Sequence, residues 1–193
     1  MKELVDKIRE DGSYLGNGIL KVDGFLNHRL EPNLSLSFGK HFKAKFDSLG
    51  VKDINKIVTA ETSGIAPALA TSISYGVATV YARKKKPVTM LEYFSAEAPS
   101  HTKSEMTTLM ISKEFLGDSD KVLIIDDFLA SGQTLMALAG VVKQSGATLM
   151  GIGCVIEKSF EHGRDALARL NVPIVSLAII DALDENGISV RVG

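Results

Sequence analysis

The chain of 193 residues predicts an α/β fold with a doubly wound, mostly parallel sheet. Two observations carry that expectation. Short β-branched runs with almost no polar interruption recur along the chain, as strands covered on both faces should read. Segments with apolar residues at helical spacing lie between them, and strands alternating with helices build parallel sheets. The length suits one domain with a substantial core.

Lys2 to Asp11 sets Leu4, Val5 and Ile8 on one face of a short helix that Gly12 ends. Ile19 to Val22 reads as a short extended piece. From Asn33 to Leu49 the spacing of Leu34, Leu36, Phe38, Phe42 and Phe46 predicts a helix, closed by Gly50. Then the alternation begins. Lys56 to Thr59 is a strand, Gly64 to Ser74 a helix rich in Ala and Ile, and Val77 to Ala82 a strand. Thr107 to Ser112 and Lys121 to Ile125 are the next strands. Leu135 to Gln144 is a helix, Leu149 to Ile156 a strand, His162 to Leu170 a helix, and Val172 to Ile180 a strand. The rest of Arg83 to Ser112, including LEYFSAEAPSHTKSEM, is polar and long. Such a segment in a compact domain is more often a lid than a wall.

Composition excludes several function classes. Twenty-two Lys and Arg nearly balance 23 Asp and Glu, so no general attraction to nucleic acid or to an anionic membrane is expected. Cys154 is the single cysteine and reads as a small buried hydrophobe in a reduced compartment. The charged N-terminal segment is unlike a signal peptide, and no apolar run approaches ~18 residues. A soluble, cytoplasmic protein is expected. Neither the four histidines nor the serines show a triad-like arrangement for covalent catalysis.

In doubly wound sheets ligands sit beyond the carboxyl ends of the strands. The loop after the Lys121 to Ile125 strand is the most informative. In VLIIDDFLASGQT, Asp126 and Asp127 follow a hydrophobic run, and Ala130, Ser131, Gly132, Gln133 and Thr134 open a helix. A small-residue turn at a helix N-terminus exposes backbone N–H groups and the positive end of the helix dipole, which suits a phosphate. Carboxylates beside a phosphate make sense if they accept from sugar hydroxyls or act through a divalent cation. That chemistry asks for a ribose phosphate. The alternative is that Asp126 ends a strand and Ser131 caps the helix. The loop matches neither G-x-x-x-x-G-K-[ST] nor G-x-G-x-x-G.

Four apolar residues, two acids, two hydrophobes and a small-residue loop ending in Thr give the stretch its likeness. VLIIDDFLASGQT resembles the phosphoribosyl pyrophosphate (PRPP) signature of type I phosphoribosyltransferases, and the likeness extends over nearly the whole chain to the xanthine-using branch of that family. ILKVDGFLNHRLEP is similar to its N-terminal hood, ETSGIAPA to its pyrophosphate loop, YARKKK to the strand and basic segment that follow, and VIEKSFEHGRD to its base loop. The resemblance implies the type I phosphoribosyltransferase fold over residues 1–193, with a small hood from about residues 1–35 and the C-terminal segment. It implies Asp126 and Asp127 on the ribose hydroxyls and Ala130 to Thr134 on the 5′-phosphate. Glu61, Thr62, Ser63, Gly64, Arg83 and Lys84 would meet pyrophosphate, with a strained or cis peptide in the Glu61 to Gly64 loop. A capping turn by Thr62 or Ser63 is the other reading of that loop. Lys85 and Lys86 are expected on the solvated surface.

For the base, the resemblance implies Leu20, Asn27, Lys158 and Phe160. Lysine can donate to O6 or N7 of a 2,6-dioxopurine, and the Asn amide can pair with the O2 edge; an amino group at position 6 would oppose the lysine. As ordinary structure, Leu20 is core, Asn27 a cap, and Phe160 a packing contact. Arg83 and Lys103 join the acid pair as catalytic candidates. Lys103 stands in PSHTK, where His101 takes the place of the aromatic the family pattern leads one to expect.

The activity implied is transfer of the 5-phosphoribosyl group from PRPP to N9 of xanthine in purine salvage, with magnesium held mainly by PRPP and a homodimer as the assembly. A hypoxanthine-guanine enzyme is the alternative with the same parts. A non-catalytic PRPP-sensing regulator would need an added DNA- or partner-binding module, and about a dozen residues of mildly charged helix precede the first loop.

Overall fold

The structure is a computed structural model that describes residues 1–99 and 106–193. Its centre is a six-stranded sheet in the order β10-β9-β8-β7-β3-β4. The strands are β3 (Lys56–Ala60), β4 (Ala78–Ala82), β7 (Lys121–Leu129), β8 (Thr148–Lys158), β9 (Ile174–Asp184) and β10 (Gly187–Val192). Five run parallel, and β10 pairs antiparallel with β9 at one edge. The doubly wound, mostly parallel sheet expected from the sequence is present.

Two apolar clusters cover the two faces of the sheet. On one, α1 (Lys2–Asp11) and α2 (Pro32–Ser48) bury Leu4, Ile8, Phe38, Phe42 and Phe46 against Leu123, Ile125 and Leu177. Pro32 starts α2, where its fixed φ suits the first helical turn. On the other face α4 (Gln133–Gln144) packs Leu135, Leu138 and Val142 on Val58, Ile124 and Ile152. Each of these large side chains contributes roughly 1.5–3 kcal/mol by leaving water. Cys154 is fully buried in this cluster, as the sequence suggested. Burial, then the charges of Asp126, Asp127 and Glu157, push its thiol well up, which leaves it inert.

Several boundaries differ from the sequence-based expectation. The polar stretch read as a lid contains a strand, β5 (Tyr93–Pro99), paired antiparallel with β6 (Met106–Ser112). Phe94, Ala96 and Ala98 alternate along β5 and pack against the α4 face; the two alanines are too small to stand out as an apolar stripe. His101 and Lys103 lie outside the described residues. β7 runs to Leu129 rather than Ile125, so both aspartates lie within the strand. The helix expected from His162 to Leu170 is three short pieces: a 3₁₀ turn over Ser159–Glu161, α5 (Gly163–Leu167) and a second 3₁₀ turn over Ala168–Leu170. His162 adopts a left-handed backbone, φ 58°, which breaks the helix before it starts. Near the N-terminus β1 (Ser13–Tyr14) and β2 (Leu20–Lys21) form a hairpin, followed by a single π-helical turn over Asp23–Asn27.

Candidate active site

The chain passes from β3 through α3 (Ile65–Tyr75) to β4 on one side of β3, and later places β7 on the other side. Strand order therefore reverses between β3 and β7, where open α/β sheets bind ligands. The two strands pair only from Lys56↔Val122 to Val58↔Ile124. β3 stays with β4 as far as Ala60↔Ala82, and β7 with β8 as far as Leu129↔Glu157. The carboxyl ends of β3 and β7 thus part, and a cavity of about 630 Å³ opens there.

Asp126 and Asp127 form part of its wall, each less than a tenth exposed. Asp126 accepts from the backbone N–H of Asp127 at 3.0 Å. Burial, and next the adjacent charge of Asp127, push the Asp126 carboxyl well above the usual carboxylate range; that backbone bond and Lys84 pull the other way. Beyond them Ala130, Gly132, Gln133 and Thr134 line the cavity. Gly132 takes the N-cap position of α4 with φ 79°, and no side chain caps the helix. Ser131 therefore does not cap, and the first N–H groups of α4 are left for whatever enters. The loop lies hard against the start of α5: a Cβ on Gly163 would stand 2.1 Å from the Ala130 carbonyl.

The loop after β3 forms the adjoining wall. Glu61 and Ser63 line the cavity, and the Glu61–Thr62 peptide is cis, in the loop where such a bond was expected. α3 also begins without a side-chain cap, at Gly64. That glycine is required by proximity, since a Cβ there would lie 2.5 Å from an Asp126 oxygen and 2.2 Å from the Thr59 hydroxyl. The two basic candidates separate. Lys84 lines the cavity, while its backbone N–H donates to Glu61 Oε1 at 2.7 Å. Arg83 is absent from the lining. Its Nε lies 2.8 Å from Glu61 Oε2, an ionic contact rather than an aligned hydrogen bond, and its guanidinium is 5.7 Å from the Tyr81 ring. Lys85 and Lys86 are exposed.

Asn27 and Lys158 line the same cavity. Phe25 and Leu26 are buried and anchor the turn that presents Asn27. Lys158, the last residue of β8, donates to the Gly18 carbonyl at 2.9 Å and to Glu161 Oε1 at 3.1 Å. Its ammonium is 5.7 Å from the Phe128 ring. Leu20 is not brought to the lining: it is buried in the α1–α2 core, where the β1–β2 hairpin turns it inward. Phe160 is not in the lining either. It is 37% exposed, and its ring edge faces Gly18. Phe128 supplies the aromatic wall instead, and Glu161 a carboxylate. Sequence reasoning singled out neither, although both lie inside stretches it had marked.

Among the described residues no group of three His, Cys, Asp or Glu side chains is arranged to hold a metal, and no helix is long and apolar enough to cross a membrane. The site thus offers two uncapped helix starts for anions, a buried acid pair beside them, and an amide and an ammonium in the same wall.

Comparisons with known proteins agree with that geometry. A family model described as a phosphoribosyl transferase domain matches residues 40–190. A xanthine phosphoribosyltransferase of Deinococcus deserti is 53% identical over 188 residues, 97% of this chain and 96% of that protein. One from Brevibacillus brevis is 46% identical over 189 residues, 97% and 95% of the two chains. Among solved structures, adenine phosphoribosyltransferase from Trypanosoma brucei, in complex with AMP, pyrophosphate and ribose-5-phosphate, superposes with a TM-score of 0.78. It is 19% identical and covers 95% of this chain and 82% of its own. The Saccharomyces cerevisiae adenine enzyme gives a TM-score of 0.74 at 25% identity, over 91% and 99% of the two chains. The chain belongs to the phosphoribosyltransferase family.

Proposed function

We propose that this protein transfers the 5-phosphoribosyl group of PRPP to N9 of xanthine, releasing pyrophosphate and forming xanthosine 5′-monophosphate. The observation that carries this reading is one cavity with the Ala130 to Thr134 loop, the Asp126–Asp127 pair, the loop after β3 and the Asn27–Lys158 end together. The 5′-phosphate takes the α4 N-terminus. The ribose hydroxyls donate to Asp126 and Asp127; those bonds favour the ionised carboxylates and oppose the upward shift of Asp126. Pyrophosphate takes the backbone from Glu61 to Gly64, with Lys84 toward the acid pair and Arg83 holding Glu61 in place.

As the bond from C1 to pyrophosphate breaks, negative charge grows on the leaving oxygens and positive charge on the ribosyl centre. Fixed N–H groups and Lys84 stabilise the first, and the aspartates the second. Holding the base in line with C1 supplies a further large part of the acceleration. The carboxylates of Asp126, Asp127 and Glu61 are hard oxygen donors of the kind magnesium accepts. Bound with PRPP, magnesium would supply neutralisation of the pyrophosphate charge.

The base end supports an oxopurine. Lys158 is a donor where adenine would present its own amino donor, so the likeness to adenine enzymes extends to the scaffold and stops at the base. The names of the sequence relatives point the same way. A homodimer and a cytoplasmic location belong to the same proposal; Leu69 and Ile73 leave an apolar face of α3 more than half exposed, as a subunit contact needs.

The test is Asp126→Asn combined with Asp127→Asn, assayed by pyrophosphate release with PRPP and xanthine. A loss of at least ~100-fold in kcat/KM is expected, corresponding to about 3 kcal/mol. Unimpaired turnover would refute the placement of the ribose.

A further inference from the structure

Glu161 has a role in this cavity that its neighbours define. Lys158 carries three protons. Two are engaged, by the Gly18 carbonyl at 2.9 Å and by Glu161 Oε1 at 3.1 Å, which leaves one for a ligand. Glu161 has a second oxygen, and no side chain or backbone group among the described residues donates to it. Both side chains are mostly buried, at 15% and 31% exposure, and both line the cavity. The wall therefore presents one ammonium proton beside one carboxylate oxygen.

A donor next to an acceptor complements O6 and N1–H, the edge that xanthine, guanine and hypoxanthine share. Xanthine and guanine part at position 2. Guanine has an amine there, so its N1–H and amine together match two carboxylate oxygens. Xanthine has a carbonyl there, which a free carboxylate repels. How tightly Lys158 holds Glu161 thus moves the two bases in opposite directions.

Resting on the reading of Lys158 as the base end, we infer that Glu161 is a specificity-determining residue that sets the xanthine-to-guanine ratio: it accepts from guanine, and Lys158 restrains it by ion pairing. Removing the carboxylate weakens guanine selectively, because one good acceptor becomes an amide whose N–H₂ faces guanine's amine. Removing the lysine takes the O6 donor from both bases, but it frees both oxygens for guanine's N1–H and amine and sets an unpaired carboxylate against the xanthine carbonyl at position 2.

The experiment measures kcat/KM for xanthine and guanine, with PRPP saturating, in Glu161→Gln, Lys158→Met and the double variant. Glu161→Gln should lower the guanine-to-xanthine ratio about tenfold, the scale of one hydrogen bond to a charged group. Lys158→Met should raise that ratio at least about tenfold, and the double variant should lose the rise. Glu161 is on a short surface turn, so its single variant decides the matter even if Lys158→Met folds poorly. Equal effects of Glu161→Gln on both bases, or the same ratio in Lys158→Met with and without Glu161, overturn the inference while leaving the base end in place. Unchanged xanthine efficiency in Lys158→Met overturns the placement of the base itself.

Discussion

The proton affinity of Asp126 is raised by burial and then by the carboxylate beside it, so the folded chain holds a proton there at pH values where an exposed aspartate has lost it. The sign follows from linkage. The folded state binds more protons than the unfolded one, so stability falls as pH rises from the ordinary value of 3.8 through the raised folded value. Asp126→Asn keeps the acceptor for the Asp127 N–H and removes the charge. It should melt higher than the parent at neutral pH by several degrees, on the order of 1–3 kcal/mol, while losing activity. Thermal melts between pH 4 and 8 check this, and the gap should widen with pH and then level off. At this scale the sequence was partly legible. Asp126, Asp127 and the small-residue loop announce themselves because carboxylates seldom follow a buried strand without a reason. Glu161 and Phe128 do not, because one looks like an ordinary turn acid and the other like a strand hydrophobe. Only their meeting with Lys158 in space gives them a role.

The segment that follows β8 depends on a bracket between elements. Glu157 of β8 receives Arg164 Nε of α5 at 2.9 Å and also accepts from Ser176 of β9; Arg164 Nη1 reaches the Ile174 carbonyl at 3.0 Å. Burial alone would raise the Glu157 carboxyl, yet the bonds from Arg164 and Ser176 outweigh it and hold it below 4.5. This bracket fixes α5, whose Gly163 packs on the Ala130 to Thr134 loop. Glu157→Gln should cost about 1–3 kcal/mol at neutral pH, less than a fully buried pair because Arg164 is 41% exposed. The stabilisation exists above the unfolded value and is lost as pH falls through the folded one. The melting deficit should therefore be large at pH 7 and shrink in acid. The short β-branched strands were readable from sequence at this scale, since burial on both faces leaves almost no polar interruption. β10 was not read, although Asn186-Gly187 before an alternating Ile188, Val190 and Val192 is a hairpin signal. α5 misled because helical spacing from His162 to Leu170 takes no account of a left-handed residue at its start.

For the molecule as a whole, topology decides where chemistry happens. Reversal of strand order between β3 and β7, with pairing that stops at Val58↔Ile124, opens the crevice that the loops after β3 and β7 border. The alternation of strands and helices made that crevice foreseeable. The identity of the base was less so, since the proposed reading rests on Asn27 and Lys158, which are 131 residues apart in sequence and line one cavity only when β8 and the N-terminal turn are folded together. The same scaffold serves adenine in the solved structures it resembles, so overall shape does not choose the base. The central claim is that choice, and competition tests it most directly. Incubating the protein with PRPP, magnesium and equal concentrations of xanthine, guanine, hypoxanthine and adenine, and identifying the nucleotides formed, should give xanthosine 5′-monophosphate as the main product and essentially no AMP. A mixture led by AMP, or by GMP, or no nucleotide at all, would contradict it.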